Sequence, residues 1–356
     1  MKTESPATPN TIALSCPSPI KDYPRIIMGH GGGGTLSAEL IEQVFLAGFG
    51  AQPGDQLNDS TVVERPSGRI AVSTDSFVVQ PLFFPGGSIG DLAVNGTVND
   101  LAMSGSRPIY LTAGFILEEG LLVDDLQRIV ADMARAARQA GVRIISGDTK
   151  VVERGHGDGC YINTSGIGIV ADDINIGVDR ARPGDKVLLS GTVGDHGMAI
   201  MSVREGLEFE STIQSDTASL AQLVQDMLST TSQIRVLRDP TRGGVATSLN
   251  EIAAGSGCGI VIDQQAIPIN PVVGSACEFL GFDPLQVANE GKLLVVVAAA
   301  DADRLLAAMK QHSVASQAAI IGEVVADSNR LVVARTPVGT HRIVTMPMGE
   351  QLPRIC

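Results

Sequence analysis

The chain of 356 residues has no tryptophan, three tyrosines and nine phenylalanines, so aromatic residues make up only 3% of it. Hydrophobic residues nevertheless reach 44%, and the core must be filled mostly by Ala, Val, Ile and Leu. The length is ample for a buried core and accommodates two domains of ordinary size. Cysteine is scarce as well: the five residues stand at 16, 160, 258, 277 and 356, with no CxxC pair. Such an odd, scattered set excludes a disulfide framework and zinc-type spacing, and it fits a reducing compartment. Positive charge is the next shortage. Lys and Arg number 26 against 39 Asp and Glu, a formal charge of −13, which argues against a general nucleic-acid binder and a polybasic membrane anchor. No apolar run approaches the roughly 20 residues that span a bilayer. Residues 1–19 are polar and rich in Pro, Ser and Thr, without the basic start and apolar stretch of a secretory signal. The expectation is a flexible extension over residues 1–24 and a cytoplasmic location.

Glycine is in surplus, at 40 residues. LSAELIEQVFLAGF at 36–49 has the period of an amphipathic helix, with Ser37 as N-cap and Gly48 and Gly50 at its end. STVVE at 60–64 and RIAVSTDSFVV at 69–79 read as the two strands of a hairpin. A helix is expected from Ile89 to about Ala102, a buried strand at 109–117 and a strongly periodic helix at 122–141. VRIISGDTKVVE then reads as strand, turn, strand. A second unit opens at the Pro183-Gly184-Asp185 turn and alternates strands and helices to about residue 345. The fold class is α+β: two units, 25–175 and 176–345, with helices covering sheet faces, and a tail at 346–356.

Several acids interrupt apolar or small-residue runs: Asp75 in STDSFVV, Asp100 after Asn99, Asp148 in SGDTK, and, less pointedly, Asp59 and Asp91. A carboxylate in an apolar run must be solvated, paired or metal-bound. Taken singly, each can be a cap or turn residue; taken together with Lys150, they point to Mg²⁺ holding nucleotide phosphates. Glu290, at the mouth of the strand KLLVVV, is a candidate base, and so is Lys150. His196 stands among glycines in GTVGDHG, where backbone or ligand can approach closely. Asp239 and Arg242 open a glycine-bearing helix start that can face an anion. Cys356, the last residue, follows MPMGEQLPRI, whose prolines and glycine rule out a helix, so its thiol can travel on an arm. GxSxG, HExxH and a dinucleotide fingerprint are all missing, and the residues alone do not give the reaction.

The blocks GHGGGG at 29–34, STDSFVV at 73–79, GGSIGDLAVNGTVNDLAMSGSRP at 86–108, SGDTKVV at 146–152, GDHG at 194–197, RDPTRGGVA at 238–246, ANEGKLL at 288–294 and PRIC at 353–356 together resemble the HypE family of nickel–iron hydrogenase maturation proteins. That family belongs to the aminoimidazole-ribonucleotide-synthetase-like (PurM-like) ATP-binding superfamily, and the resemblance covers about residues 25–356. It implies a two-domain PurM-like fold, a homodimer formed through the first domain, and an ATP-dependent carbamoyl dehydratase. A HypF-type carbamoyltransferase would load the Cys356 thiol, Mg²⁺–ATP would drive dehydration to an S-cyanate, and a HypC–HypD-type scaffold complex would take the cyanide. By the same resemblance Asp75, Asp100 and Asp148 hold Mg²⁺, and Asp59, Asp91, Asn99 and Thr149 lie at the nucleotide. Lys150, Glu290 and His196 lie near the modified thiol, with the base unassigned between Glu290 and Lys150. Two other readings are a small-molecule kinase or ATP-dependent ligase of the superfamily and a nucleotide-switched scaffold that presents Cys356.

Overall fold

A computed structural model describes residues 23–50, 60–64, 67–206, 212–347 and 355. Asp59, Cys356 and the extension up to residue 22 lie outside the described residues, as does 348–354 of the tail. A helix, α1, runs over 35–49, α-helical in Thr35–Leu40, π-wound in Ile41–Leu46 and α-helical again in Ala47–Phe49, and it ends at Gly50 in the left-handed conformation. Its N-cap is Gly34, not Ser37. The Ser37 hydroxyl instead accepts from the Gly33 amide and donates to the His30 carbonyl, fixing the glycine stretch before the helix.

The first sheet contains β1 (Arg69–Phe77), β2 (Arg107–Glu118), β3 (Arg143–Val152) and β4 (Cys160–Val170), in the order β1-β4-β2-β3. The expected hairpin does not form. Residues 60–64 are extended but unpaired as a strand, Thr61 donates to the Ile145 carbonyl, and β1 pairs with β4 instead. The SGDTK segment is likewise no turn but the middle of the continuous strand β3, paired in parallel with β2. Helices α2 (Ile89–Met103) and α3 (Val123–Ala140) cover one face of this sheet. In α3, apolar residues at the helical period (Leu126, Ile129, Val130, Met133) are all buried. The opposite face carries Val72 at 72% exposure and Ile70 at 57%, and exposed Ile116 lies on the same face farther along β2, beside Lys150.

The second unit has a seven-stranded sheet. Its strands are β5 (Lys186–Leu189), β6 (Ile234–Arg238), β7 (Gly259–Asp263), β8 (Leu294–Val297), β9 (Ala319–Val325), β10 (Val332–Arg335) and β11 (His341–Ile343), ordered β11-β10-β7-β9-β5-β8-β6. The buried strands are short and almost wholly aliphatic, as in LVVV of β8, which suits a sheet packed on both faces. Helices α4 (Asp195–Arg204), α5 (Ala221–Thr230), α6 (Gly244–Ser256), α7 (Pro271–Leu280) and α8 (Ala302–Met309) pack around it. The two units share a core. Met198, Ile200, Cys277 and Val287 join the same apolar cluster as Phe77, Leu92 and Leu117, and Ile355 completes it. Both units are thereby held against α2, along which the candidate site lies.

Candidate active site

The α2 helix lies in the cleft between the units. At its start, Ser88 caps the helix by accepting from the Gly90 amide, and Asp91 returns a bond to the Ser88 amide at 3.0 Å. Asp91 also pairs with Arg135 at 2.8 Å, so its carboxylate is committed to the cap and to α3. This explains an acid in a small-residue run without a ligand. Asn99, expected at the nucleotide, is a buried strut. Its amide donates to the Ala218 carbonyl (3.0 Å) and the Glu290 carbonyl (3.2 Å), and its oxygen accepts from the Leu220 amide (2.8 Å).

At the far end of α2 a group of carboxyls faces inward. Ser73 on β1 donates to Asp100 at 2.8 Å, and Asp75 lies two residues along the same strand face. Asp239, just after β6, and Glu290, just before β8, close on them from the second unit. Burial, then the charges of Asp216, Asp239, Asp75 and Asp100, hold the Glu290 carboxyl well above the ordinary range. Its Oε1 is buried without a hydrogen-bond partner. Burial and the neighbouring Asp100 push Asp239 up to about 7. Burial likewise raises Asp100, against its bond from Ser73, and Asp75, which keeps an edge open to solvent. Arg242 and Arg238 offset only part of this negative charge.

These observations fit a divalent cation bound with phosphate. Among the described residues no three His, Cys, Asp or Glu side chains close into a ready cage. The cluster is therefore an open oxygen face of the kind that Mg²⁺ shares with phosphate oxygens and water. The cluster also sets a pH response. Carboxyls with raised values bind protons in the folded chain that the unfolded chain has already released, so stability present at low pH is lost as pH rises through the raised values. The expected result is a melting temperature that falls as pH rises from about 4, the ordinary carboxylate range, to about 7, the raised value of Asp239, and recovers with Mg²⁺. Asp239→Asn should flatten the fall, and a profile that rises over this window in the wild type would refute the account.

Asp148 and Lys150 stand elsewhere. Asp75 is in register with Thr164, Ala113 and Gly147, on the face that α2 covers, whereas Asp148 is in register with Gly114, Asn163 and Ser76, on the open face. The strands β1 and β3 are opposite edges of the sheet, about 14 Å apart at three strand spacings. Asp148 and Lys150 pair with each other at 2.6 Å, with side chains 71% and 64% exposed. Thr149 is on the covered face beside buried Phe115. Within one chain, then, Asp75 and Asp100 come together with Glu290, but Asp148 and Lys150 do not join them. The reason is strand parity, which a misread turn in SGDTK concealed.

The last described residue enters the same cleft. Ile355 is 6% exposed and makes an antiparallel bridge with Val79. Its carbonyl lies 2.5 Å from Nε2 of His196, near the start of α4, and Nδ1 of that ring lies 2.8 Å from the Ser215 hydroxyl. A carbonyl can only accept, so Nε2 carries the proton and Nδ1 accepts from Ser215. Burial lowers the His196 value and keeps the ring neutral, and Phe84 packs edge-on at 5.6 Å. Beside this point a cavity of about 710 Å³ opens between the units, lined in part by Asn95, Arg128, Arg135, Thr217 and Gln222. Sequence reading missed Asp239 as a member of the acid cluster and Ser215 as the histidine's partner. The first was visible as an acid at a strand end; the second has no sequence signal, because its partner stands 19 residues away in the sequence.

Comparison with known proteins agrees with this arrangement. Residues 57–170 match the AIR synthase related protein N-terminal domain, and residues 182–334 match its C-terminal domain. The chain is 56% identical over 333 residues to the carbamoyl dehydratase HypE of Cupriavidus necator, covering 93% of this chain and 95% of that protein. A crystal structure of the hydrogenase maturation protein HypE in complex with ATP superposes with a TM-score of 0.89 at 48% identity, covering 93% of this chain and 99% of that one. A crystal structure of a HypE–HypF complex superposes with a TM-score of 0.76 at 54% identity, covering 78% of this chain and 90% of that one.

Proposed function

Because the chain belongs to the HypE carbamoyl dehydratases, within the AIR synthase related proteins, we propose that it converts a carbamoyl group on its own Cys356 thiol into an S-cyanate, supplying the cyanide ligand of nickel–iron hydrogenase. The observation that carries this reading is Ile355, the residue before Cys356, buried between the units with its carbonyl on His196. A substrate built into the chain's end must reach the acid cluster, and the burial of Ile355 against His196 supports that route.

In the reaction S–C(=O)–NH₂ becomes S–C≡N. The carboxamide oxygen departs, both N–H protons are lost, and one water's worth of atoms leaves the adduct. When bound, Mg²⁺–ATP supplies the phosphoryl group that turns this oxygen into a leaving group, released as phosphate. Asp75 and Asp100, with Asp239, would hold the Mg²⁺. The neutral His196 holds the last peptide carbonyl and so sets the position of the thiol. Glu290 accepts the first amide proton, since its raised value gives a carboxylate that is a strong base once ionised, and the second proton leaves with the phosphate.

The open sheet face gives the remaining residues a place. Exposed Ile70 and Val72 at one end of this face and Ile116 toward the other are apolar side chains that a second copy would cover, making the homodimer. Asp148 and Lys150 share that face, so each would enter the interface, where an edge strand of one copy can approach the cleft of the other. Loading of Cys356 is assigned to a HypF-type carbamoyltransferase, in keeping with the crystallised HypE–HypF complex of a relative. A HypC–HypD-type scaffold would accept the cyanide. No helix among the described residues is long and apolar enough to cross a membrane.

The test is intact mass measurement after incubation with the carbamoyltransferase, carbamoyl phosphate and Mg²⁺–ATP. A carbamoyl adduct that loses the mass of one water, mapped to Cys356 by peptide analysis, is the expected result. An adduct on another cysteine, or none, overturns the reading.

A further inference from the structure

Glu290 hangs from a short segment that needs support, because the residues around its carboxyl repel it. The support comes from the loop at 215–220. The Asp216 Oδ1 accepts from the Glu290 backbone amide at 3.0 Å, while Oδ2 lies 3.1 Å from the Lys292 ammonium. The side chains of Lys292 and Asp216 are 10% and 4% exposed, so this ion pair is sealed inside the protein. The backbones meet as closely as backbones can: an added Cβ on Gly291 would stand 1.8 Å from the Asp216 carbonyl oxygen. Asn99 ties the same two segments from α2. Glu290 is thus flanked on both sides by the two groups that clamp its main chain, with Asp216 gripping at 290 and Lys292 at the next residue but one.

We propose that Asp216 and Lys292 are positioning residues for Glu290, and that through the adjacent Ser215 they tie its placement to the docking of the chain's end on His196. The proposal rests on the function proposed above. A buried ion pair is weak evidence of stability, since its two desolvation costs offset most of its attraction, but it fixes geometry because neither partner has another place to go. Ser215 and Asp216 are consecutive, their Cα atoms about 3.8 Å apart. The hydroxyl that donates to His196 Nδ1 and the carboxylate that holds Glu290 therefore move as one piece, and Thr217 fixes it by donating its amide to Ser215 Oγ at 3.1 Å.

The experiment is a double-mutant cycle on the full chain, carbamoylated beforehand, with single-turnover loss of water followed by mass and nucleotide affinity measured separately. Asp216→Ala is expected to slow dehydration by about 10- to 100-fold while ATP affinity changes by less than about threefold. In the Glu290→Gln background the same substitution should add almost nothing, because the group being positioned is no longer a base. Asp216→Asn and Lys292→Met serve in the same cycle should Asp216→Ala fail to fold, which thermal unfolding reports. Losses that multiply in the Glu290→Gln background, or a fall in ATP affinity that parallels the fall in rate, overturn the proposal. A wild-type chain that forms no cyanate from the carbamoyl adduct overturns the function itself, a different result from either.

Discussion

Glu290→Gln should slow the dehydration of carbamoylated Cys356 by about 10²- to 10⁴-fold, the range in which a positioned general base contributes. The substitution keeps the shape and removes the charge, and the surroundings make its effects separable. The carboxyl is buried among Asp216, Asp239, Asp75 and Asp100, all of which raise its value. Gln relieves that repulsion, so the folded protein should be at least as stable as the wild type while turnover collapses. Carbamoylation should proceed normally, because the transfer takes place on the partner enzyme. The measurement is single-turnover mass analysis beside a thermal melt. A variant that dehydrates within about threefold of the wild-type rate would leave Glu290 without a role in proton removal and turn attention to Lys150. The pH dependence has a fixed sign. A base with a raised value is protonated at low pH, so the rate should climb as pH rises through that value, and the climb should vanish in Glu290→Gln.

Gly291→Ala should be the most damaging single methyl in the protein. The new Cβ would meet the Asp216 carbonyl oxygen at 1.8 Å and the Ala218 amide nitrogen at 3.0 Å, and both are backbone atoms that cannot rotate away. The two segments must part. Parting them breaks the Asp216–Glu290 bond, the Lys292 pair and the Asn99 strut together. Overpacking in a core costs about 1–3 kcal/mol, and the linked polar losses place this case at or above the upper end. We expect a clear drop in melting temperature and no measurable cyanate. Gly274→Ala is the control, since its nearest neighbour would be a side-chain methyl at 3.5 Å. If Gly291→Ala melts and reacts like the control, the close approach of these segments is not a constraint.

The alternating architecture and most helices were legible from period and turn signals, and α3 is the clearest case because its apolar stripe is so regular. The acids Asp75 and Asp100 were legible because a carboxylate in an apolar run demands an explanation. Asp91 and Asn99 carried the same signal for another reason: one caps a helix and the other satisfies three backbone groups. A polar side chain inside a helix of small residues announces burial, not which partner it has. The site for Asp148 depended on reading SGDTK as a strand. There a glycine and an aspartate imitate a turn, while parallel pairing with β2 supplies the hydrogen bonds that local propensity does not foretell. The clamp at 215–220 was invisible, because nothing in a polar loop names a contact 74 residues away.

The grip on Ile355 has a consequence for how fast the chain's end is shared between enzymes. Among the described residues it consists of the hydrogen bond from His196, the antiparallel bridge to Val79 and one aliphatic side chain. Such contacts are worth about 0.5–1.5 kcal/mol per hydrogen bond and about 1.5–3 kcal/mol for the side chain, which for a free peptide would amount to a dissociation constant of about 0.1–1 mM. A tether that is part of the same polypeptide presents its end at a local concentration of about the same size. Docked and undocked ends are then comparably populated, and exchange between them meets no deep well. The expected consequence is an enzyme that does not have to release a tightly held product.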